Sequence, residues 1–394
     1  MKIKGFLKDV GGASRVTKAR LSAFDAASAV PVREDPIGNV AREWHPGKID
    51  LVVSEIREAS VTAKTVRFKR ADGGKLPPFY AGQFMTLDFE MDGAVITRPY
   101  SISSAPFQAR QEDAFVEITV RRQRENGFIS DYINDNVKVG DTFRGMVGLG
   151  QFYYEPLRDA KHVVALAGGV GITPFASMAK EVANGTLDMD LTILYGSVST
   201  GDITMKEELD ALTSERVHVV HVISGEEPDW QGERGFLTAE LIKKYSAEDT
   251  TYFICGPQVM YRFLRGELAK LEVPKKRVRF EVFGQAKDIT VYEGFPQELK
   301  DETFRLTVRR GIHEDVIPAK ATESIVVALE RAGIRIETAC RSGECGFCRT
   351  KVLSGNVFIC PENDGRRAAD KDFGYVHACA AYPLSDVTVK IPIE

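Results

Sequence analysis

The chain has 394 residues, 43% of them hydrophobic and 27% charged, with a formal net charge of −4 at pH 7. That length suggests two to four domains with real cores, and the slight acidity offers nothing to nucleic acid or to an anionic membrane surface. No apolar run reaches a membrane span, and the start, MKIKGFLKDVGG, lacks the apolar stretch and cleavage site of a signal peptide, so a cytoplasmic address is expected.

Residues 1–47 mix small residues with the run PVREDP and read as an N-terminal extension, expected to hold one short helix. From 48 to 155 the texture is β. LVVSEI, TVRFKR, FMTLDFE and FVEITVRR are short runs rich in Val, Ile, Thr and Phe, separated by turn residues, which suits a barrel or sandwich. Between 156 and 287 the buried-strand runs HVVALAGG, LTILYGS, VHVVHVIS and TYFICGP alternate with helical stretches such as MKEELDALTS and VMYRFLRGELAKL. Strands alternating with helices predict a parallel sheet. The pattern lapses over 288–302, as a linker would. From 303 to 394 a compact α+β pattern follows, with FRLTVRR, ESIVVALERAG, a cysteine cluster and DVTVKIP.

Five of the six cysteines lie in the last 55 residues. Clustered cysteines in a cytosolic chain favour metal or redox chemistry over disulfides. Cys340, Cys345 and Cys348 follow a C-x4-C-x2-C spacing, with Cys379 further on. Four thiolates complete the coordination of a two-iron, two-sulfide core, three from one tight loop and the fourth from a distant segment. Gly343 and Gly346 allow that loop to turn sharply. A structural zinc site is the alternative, although zinc favours paired C-x2–4-C knuckles. Cys360 stands outside the pattern as a plain thiol. The stretch CPENDGRRAADKDFG before Cys379 is expected to form a surface loop.

Two further motifs lie upstream. Arg98-Pro99-Tyr100-Ser101 places a cation, an aromatic ring and a small hydroxyl on a strand, the three groups that a flavin needs for its pyrophosphate, its ring system and its N5 edge. An ordinary surface strand is the alternative. Gly127-Phe128-Ile129-Ser130 then opens a helix, where N–H groups and a hydroxyl make a phosphate site. Gly168-Gly169-Val170-Gly171-Ile172-Thr173-Pro174 sits between an apolar strand and a helix, where glycines let a pyrophosphate approach. Cys255-Gly256-Pro257 follows a later apolar strand, and Phe280-Glu281-Val282-Phe283-Gly284 comes after it. A buried strand-end cysteine and a core strand are the bland readings of these two.

Taken in order, residues 49–394 resemble the ferredoxin–NADP reductase superfamily with a C-terminal plant-type [2Fe–2S] ferredoxin domain. The resemblance rests on R-x-Y-S, G-G-x-G-I-T-P, Cys-Gly-Pro and the cysteine cluster. It implies an antiparallel six-stranded β-barrel for the flavin, an α/β nucleotide domain with a parallel sheet, and an α+β (β-grasp) ferredoxin domain. It implies FAD rather than FMN, held by Arg98, Pro99, Tyr100, Ser101, Gly127 and Ser130. The nicotinamide nucleotide falls to Gly168, Gly169, Gly171, Thr173, Pro174, Cys255, Gly256 and Pro257. Ser101, Cys255 and Glu281 are assigned to the hydride path, Phe283 to the flavin, and Cys340, Cys345, Cys348 and Cys379 to the cluster. The implied activity is an NADH-dependent reductase, moving hydride to FAD and then single electrons through the cluster to a separate terminal redox protein. The alternative is an electron-transfer subunit of a larger dehydrogenase complex. A 2′-phosphate wants Arg or Lys near the ribose. The loops VSTGD at 198–202 and GEEPD at 225–229 have neither, so NADH is expected over NADPH. Nothing in the sequence speaks to oligomeric state.

Overall fold

The computed structural model describes residues 5–27, 35–123, 127–282, 284–286 and 288–392. The chain divides into two units, Met1–Pro46 and Gly47–Glu394.

The first unit holds two helices where one short helix was expected, α1 (Phe6–Asp25) and α2 (Pro36–Trp44). Gly11 and Gly12 mask a stretch otherwise rich in Ala, Lys, Arg and Leu, which are good helix formers. Pro36 starts α2, and the Asp35 carboxylate accepts from Gly38 N at 2.8 Å, so the helix carries both a proline start and an N-cap. No residue of α2 is buried.

The second unit opens with β1 (Ile49–Ser60), β2 (Ala63–Arg70), β3 (Phe84–Met91), β4 (Ala94–Ser101), β5 (Val116–Arg121), α3 (Ile129–Asn136) and β6 (Thr142–Leu149). The strands pair antiparallel in the order β4-β3-β6-β1-β2-β5. An Ile102–Ile118 bridge and Ser103 N donating to Glu117 O at 2.8 Å join β4 to β5 and close the barrel. Leu51, Phe68, Met85, Leu87 and Ile118 fill it. The composition-based reading passed over β6 because its glycines look like breakers. At Gly145 the reason is close approach, since a Cβ would stand 2.0 Å from Thr86 O.

Next come β7 (His162–Gly168), α4 (Thr173–Ala183), β8 (Asp190–Ser197), α5 (Lys206–Ala211), β9 (Val217–Ile223), β10 (Glu233–Arg234), α6 (Ala239–Lys244), β11 (Thr250–Cys255), α7 (Gln258–Lys270) and β12 (Val278–Glu281). All six strands are parallel, in the order β10-β9-β8-β7-β11-β12. Layers on both faces explain why β7, β8 and β11 read as continuous apolar runs. The order reverses between β7 and β11, and a crevice forms at such a switch point.

The C-terminal part comprises β13 (Thr303–Arg310), β14 (His313–Lys320), α8 (Ile325–Arg331), β15 (Arg349–Ser354), β16 (Val357–Ile359), α9 (Ala368–Asp372), β17 (Tyr375–His377), β18 (Ala381–Pro383) and β19 (Val387–Lys390). Its five-stranded sheet, β14-β13-β19-β15-β17, packs Leu306, Val308 and Val389 against Ile325, Val326 and Leu329 of α8. Residues 288–302 are largely exposed but anchored by three buried side chains. Ile289, Tyr292 and Phe295 bury against Phe358, Cys360 and Tyr382. Among the described residues no helix is long and apolar enough to cross a membrane.

Helix α4 is stapled to the chain following β4. Ser177 Oγ donates to Ser104 O at 2.6 Å, Lys180 Nζ donates to Ser103 O at 2.8 Å, and Phe107 N donates to Glu181 Oε1 at 2.7 Å. These bonds are buried or part-buried, so breaking one leaves a polar group unsatisfied. The nucleotide turn that begins α4 is therefore fixed against the flavin strand.

Candidate active site

Arg98, Pro99, Tyr100 and Ser101 end β4. Barrel closure brings β4 to β5, and α3 follows β5 in the chain, so the strand motif and the helix start belong to the same side of the barrel seam. Burial and the nearby Arg341 charge draw Arg98 down to about 10, so it remains a cation at neutral pH. Burial pushes the Tyr100 phenol up, and it stays neutral. The first-turn N–H groups of α3 have no side-chain cap, which suits a phosphate. Gly127 also meets a local need. A Cβ there would stand 2.5 Å from the Asp131 carboxylate, so the glycine makes room for Asp131, whose Oδ1 accepts from Gln123 N at 2.9 Å. Ser130 is half-buried on the first turn. A cation, a neutral phenol and an uncapped helix start fit a flavin phosphate and ring.

The glycine turn and the Cys-Gly-Pro turn meet at the switch point. A Cβ on Gly171 would lie 2.3 Å from Cys255 O, and one on Gly168 would lie 3.0 Å from the Pro257 ring. Thr173 and Pro174 begin α4, and Gly169 takes a φ of +54° between strand and helix. Burial pushes the Cys255 thiol up, with Glu281 adding to the shift, so the thiol keeps its proton. Cys255 and Glu281 are register partners in β11 and β12. Gly256 N donates to Tyr261 Oη at 3.2 Å, and Tyr261 Oη donates to Glu281 O. Burial, then the charges of Glu344 and Cys340, hold the Glu281 carboxyl well above the ordinary carboxylate range. Glu281 therefore lies within reach of the charges of the cluster loop. Phe283 lies outside the described residues.

On that loop the cysteines pair off. The Cys345 thiol hydrogen-bonds to Cys340, and the Cys379 thiol to Cys348. Among the described residues no three metal-binding side chains converge as a single ion would need. Cys340, Cys345, Cys348 and Cys379 would hold a two-iron, two-sulfide cluster, which would supply single-electron chemistry there. Ser342 N and Cys345 N both donate to Cys340 Sγ at 3.4 Å. Gly343 has a φ of +82°, and a Cβ there would meet Asn363 O at 2.0 Å. Asn363 Nδ2 in turn donates to Ser342 O at 3.1 Å. The stretch expected to be a surface loop thus reaches back and buttresses the cluster loop. Its Asn363 is a supporting residue that cysteine spacing could not reveal. Cys360 is buried.

The three sites adjoin. Ser101 is the register partner of Phe84, and Phe84 packs against Ala339 and Cys340 of the cluster loop. Gly284 N donates to Cys340 O at 3.5 Å, so the segment after Glu281 also ends on the cluster. Sequence reasoning also missed Arg234, just beyond the acidic loop. Its Nη2 donates to the carbonyls of Glu227 at 2.7 Å, Pro228 at 3.2 Å and Trp230 at 2.5 Å.

An antiparallel barrel, a parallel nucleotide sheet and a paired-cysteine domain in contact define a flavin and iron–sulfur reductase. The family model described as "Oxidoreductase FAD-binding domain" matches residues 50–154, "Oxidoreductase NAD-binding domain" matches 165–266, and "2Fe-2S iron-sulfur cluster binding domain" matches 312–384. The glycine betaine monooxygenase reductase subunit of Chromohalobacter salexigens is 27% identical over 364 residues, covering 88% of this chain and 96% of that one. The 3-ketosteroid-9-alpha-monooxygenase ferredoxin reductase component of Rhodococcus rhodochrous is 28% identical, covering 85% and 94%. Phthalate dioxygenase reductase shares the fold, with a TM-score of 0.62 at 22% identity over 88% of this chain and 98% of that one. The chain thus carries an oxidoreductase FAD-binding domain, an oxidoreductase NAD-binding domain and a C-terminal 2Fe-2S iron-sulfur cluster binding domain, in that order.

Proposed function

We propose that this chain draws electrons from NADH and delivers them one at a time to a separate terminal oxygenase. The observation that carries the reading is the contact chain Ser101–Phe84–Cys340, which sets the flavin strand one side chain from a cluster ligand. When bound, the flavin accepts a hydride and the cluster carries single electrons, so together they turn a two-electron donor into a one-electron source. The protein's own residues arrange the partners. The α4 staple holds the nucleotide turn against the flavin strand. Cys255 keeps its proton, and its thiol presents no negative charge along the path. Tyr261 ties the Cys-Gly-Pro turn to β12.

The oxygenase as acceptor is supported by relatives named as monooxygenase reductase subunits. NADH over NADPH is supported by the two ribose-side loops. Glu227 Oε1 accepts from Thr200 N at 2.8 Å and binds one loop to the other, leaving a carboxylate where a 2′-phosphate needs a cation. Arg234 is held on backbone carbonyls. The Cys345→Ser variant tests the route. It should lose NADH-driven reduction of cytochrome c, a one-electron protein acceptor, and keep reduction of ferricyanide by the flavin. Loss of both would reject the modular electron path.

A further inference from the structure

Glu330, near the end of α8, lies between two arginines from different parts of the molecule. Its carboxylate accepts from Arg341 of the cluster loop through both oxygens, with Nη2 to Oε2 at 3.1 Å. Its Oε1 also stands 3.8 Å from Nη1 of Arg98, the flavin-strand arginine. Glu330 and Arg341 are nearly buried, with side-chain exposures of 11% and 4%. Arg98 Nη1 donates to Thr97 O at 3.0 Å, which fixes that edge of the guanidinium.

The charges explain why a carboxylate belongs there. The Arg341 charge acts on Arg98 as a repulsion, and the Glu330 charge opposes it. Without Glu330, the two guanidiniums would face each other across the contact between barrel and ferredoxin domain without the carboxylate they share. Buried like charges cost more than exposed ones because water screens them less. A second tie, Lys48 with Asp88 at 2.9 Å and Glu337 at 3.2 Å, crosses the same contact, but Glu337 is 43% exposed. Exposed pairs contribute little.

We propose that Glu330 is a positioning residue for electron transfer, a carboxylate shared by the flavin-strand arginine and the cluster-loop arginine that holds the ferredoxin domain on the barrel. It touches neither the substrate nor the cluster ligands and acts through Arg98 and Arg341. This rests on the reading of the cluster as fed by the chain's own flavin.

The test uses the full chain with its cofactors and the near-isosteric Glu330→Gln, with Glu337→Gln as the comparison. Two measurements separate the proposal from the functional reading. In anaerobic stopped flow, Glu330→Gln should slow cluster reduction by the flavin roughly tenfold or more, because small displacements of a reacting pair are costly. Hydride transfer, flavin content and the EPR signal of the dithionite-reduced cluster should be unchanged, and Glu337→Gln should stay within about twofold of wild type. Hydrogen exchange needs no electron flow. Peptides covering 335–345 should exchange roughly fivefold faster in Glu330→Gln, while β5 is unaffected, because local opening reports local stability. Exchange over 335–345 equal to wild type would overturn the proposal, whatever the kinetics. Loss of the cluster or flavin from Glu330→Gln would also overturn it, by making Glu330 a cofactor-holding residue. If NADH fails to reduce the cluster of the wild-type protein, the functional reading falls, and the exchange result alone decides whether Glu330 holds the contact.

Discussion

Replacing Gly171 with Ala tests whether the two nucleotide turns must touch. The new Cβ would stand 2.3 Å from Cys255 O and 2.5 Å from its carbonyl carbon. A carbon normally keeps about 3.3 Å from a carbonyl oxygen, so one turn must move by roughly 1 Å. Both neighbours are backbone, and no flexible side chain can absorb the strain. Overpacking of this kind costs about 1–3 kcal/mol, and a 1 Å misplacement at a reacting centre can cost roughly 10²-fold in rate. The expected outcome is a fall of about two orders of magnitude in anaerobic flavin bleaching by NADH, with flavin and cluster spectra intact. The φ of Gly171 lies outside the left-handed region, so the effect of the added Cβ is steric alone. Bleaching within threefold of wild type would refute the contact between turns as a requirement for hydride transfer.

The remaining predictions concern nucleotide choice and pH. The kcat/KM for NADH should exceed that for NADPH, and Glu226→Arg should narrow the ratio by placing a cation on the exposed loop; a wild-type preference for NADPH would contradict the assignment. Burial alone would raise the Glu117 carboxyl, but hydrogen bonds and charge from Arg57, with Lys180 and Arg67, outweigh it and hold the group below its ordinary value. A depressed carboxylate stabilises the fold above its unfolded pKa and loses that contribution as pH falls through the folded one. Thermal stability should therefore decline from roughly pH 5 downward. Glu117→Gln should be less stable at neutral pH by about 1–3 kcal/mol and show a shallower acid decline; an unchanged acid slope would contradict the role given to Glu117.

Much of this architecture was legible in the sequence because its signals are local. C-x4-C-x2-C needs only one loop, and apolar runs such as VVALA mark strands buried on both faces. The Gly-rich turn, the Cys-Gly-Pro turn and the flavin strand could each be found, and their order gave the domains. The structure adds what is not local. Gly127 gives space to Asp131, a contact that depends on how the first turn of α3 folds back. Asn363 supports the cluster loop from an irregular stretch with no periodicity to mark it. Residues 288–302 looked like a connector because Ile289, Tyr292 and Phe295 follow neither a helical nor a strand period, yet all three are core. Glu330 was invisible for the same reason, since its two partners are 232 and 11 residues away along the chain.

The central claim is that electrons from NADH reach the cluster through the chain's own flavin. An anaerobic titration of the purified protein with NADH, followed by visible absorption and EPR, tests it most directly. The account predicts that the flavin band bleaches and the reduced-cluster EPR signal grows to about one spin per chain, with reduction complete near about 1.5 equivalents of NADH for three electrons stored. A flavin that bleaches while the cluster stays oxidised would contradict the account.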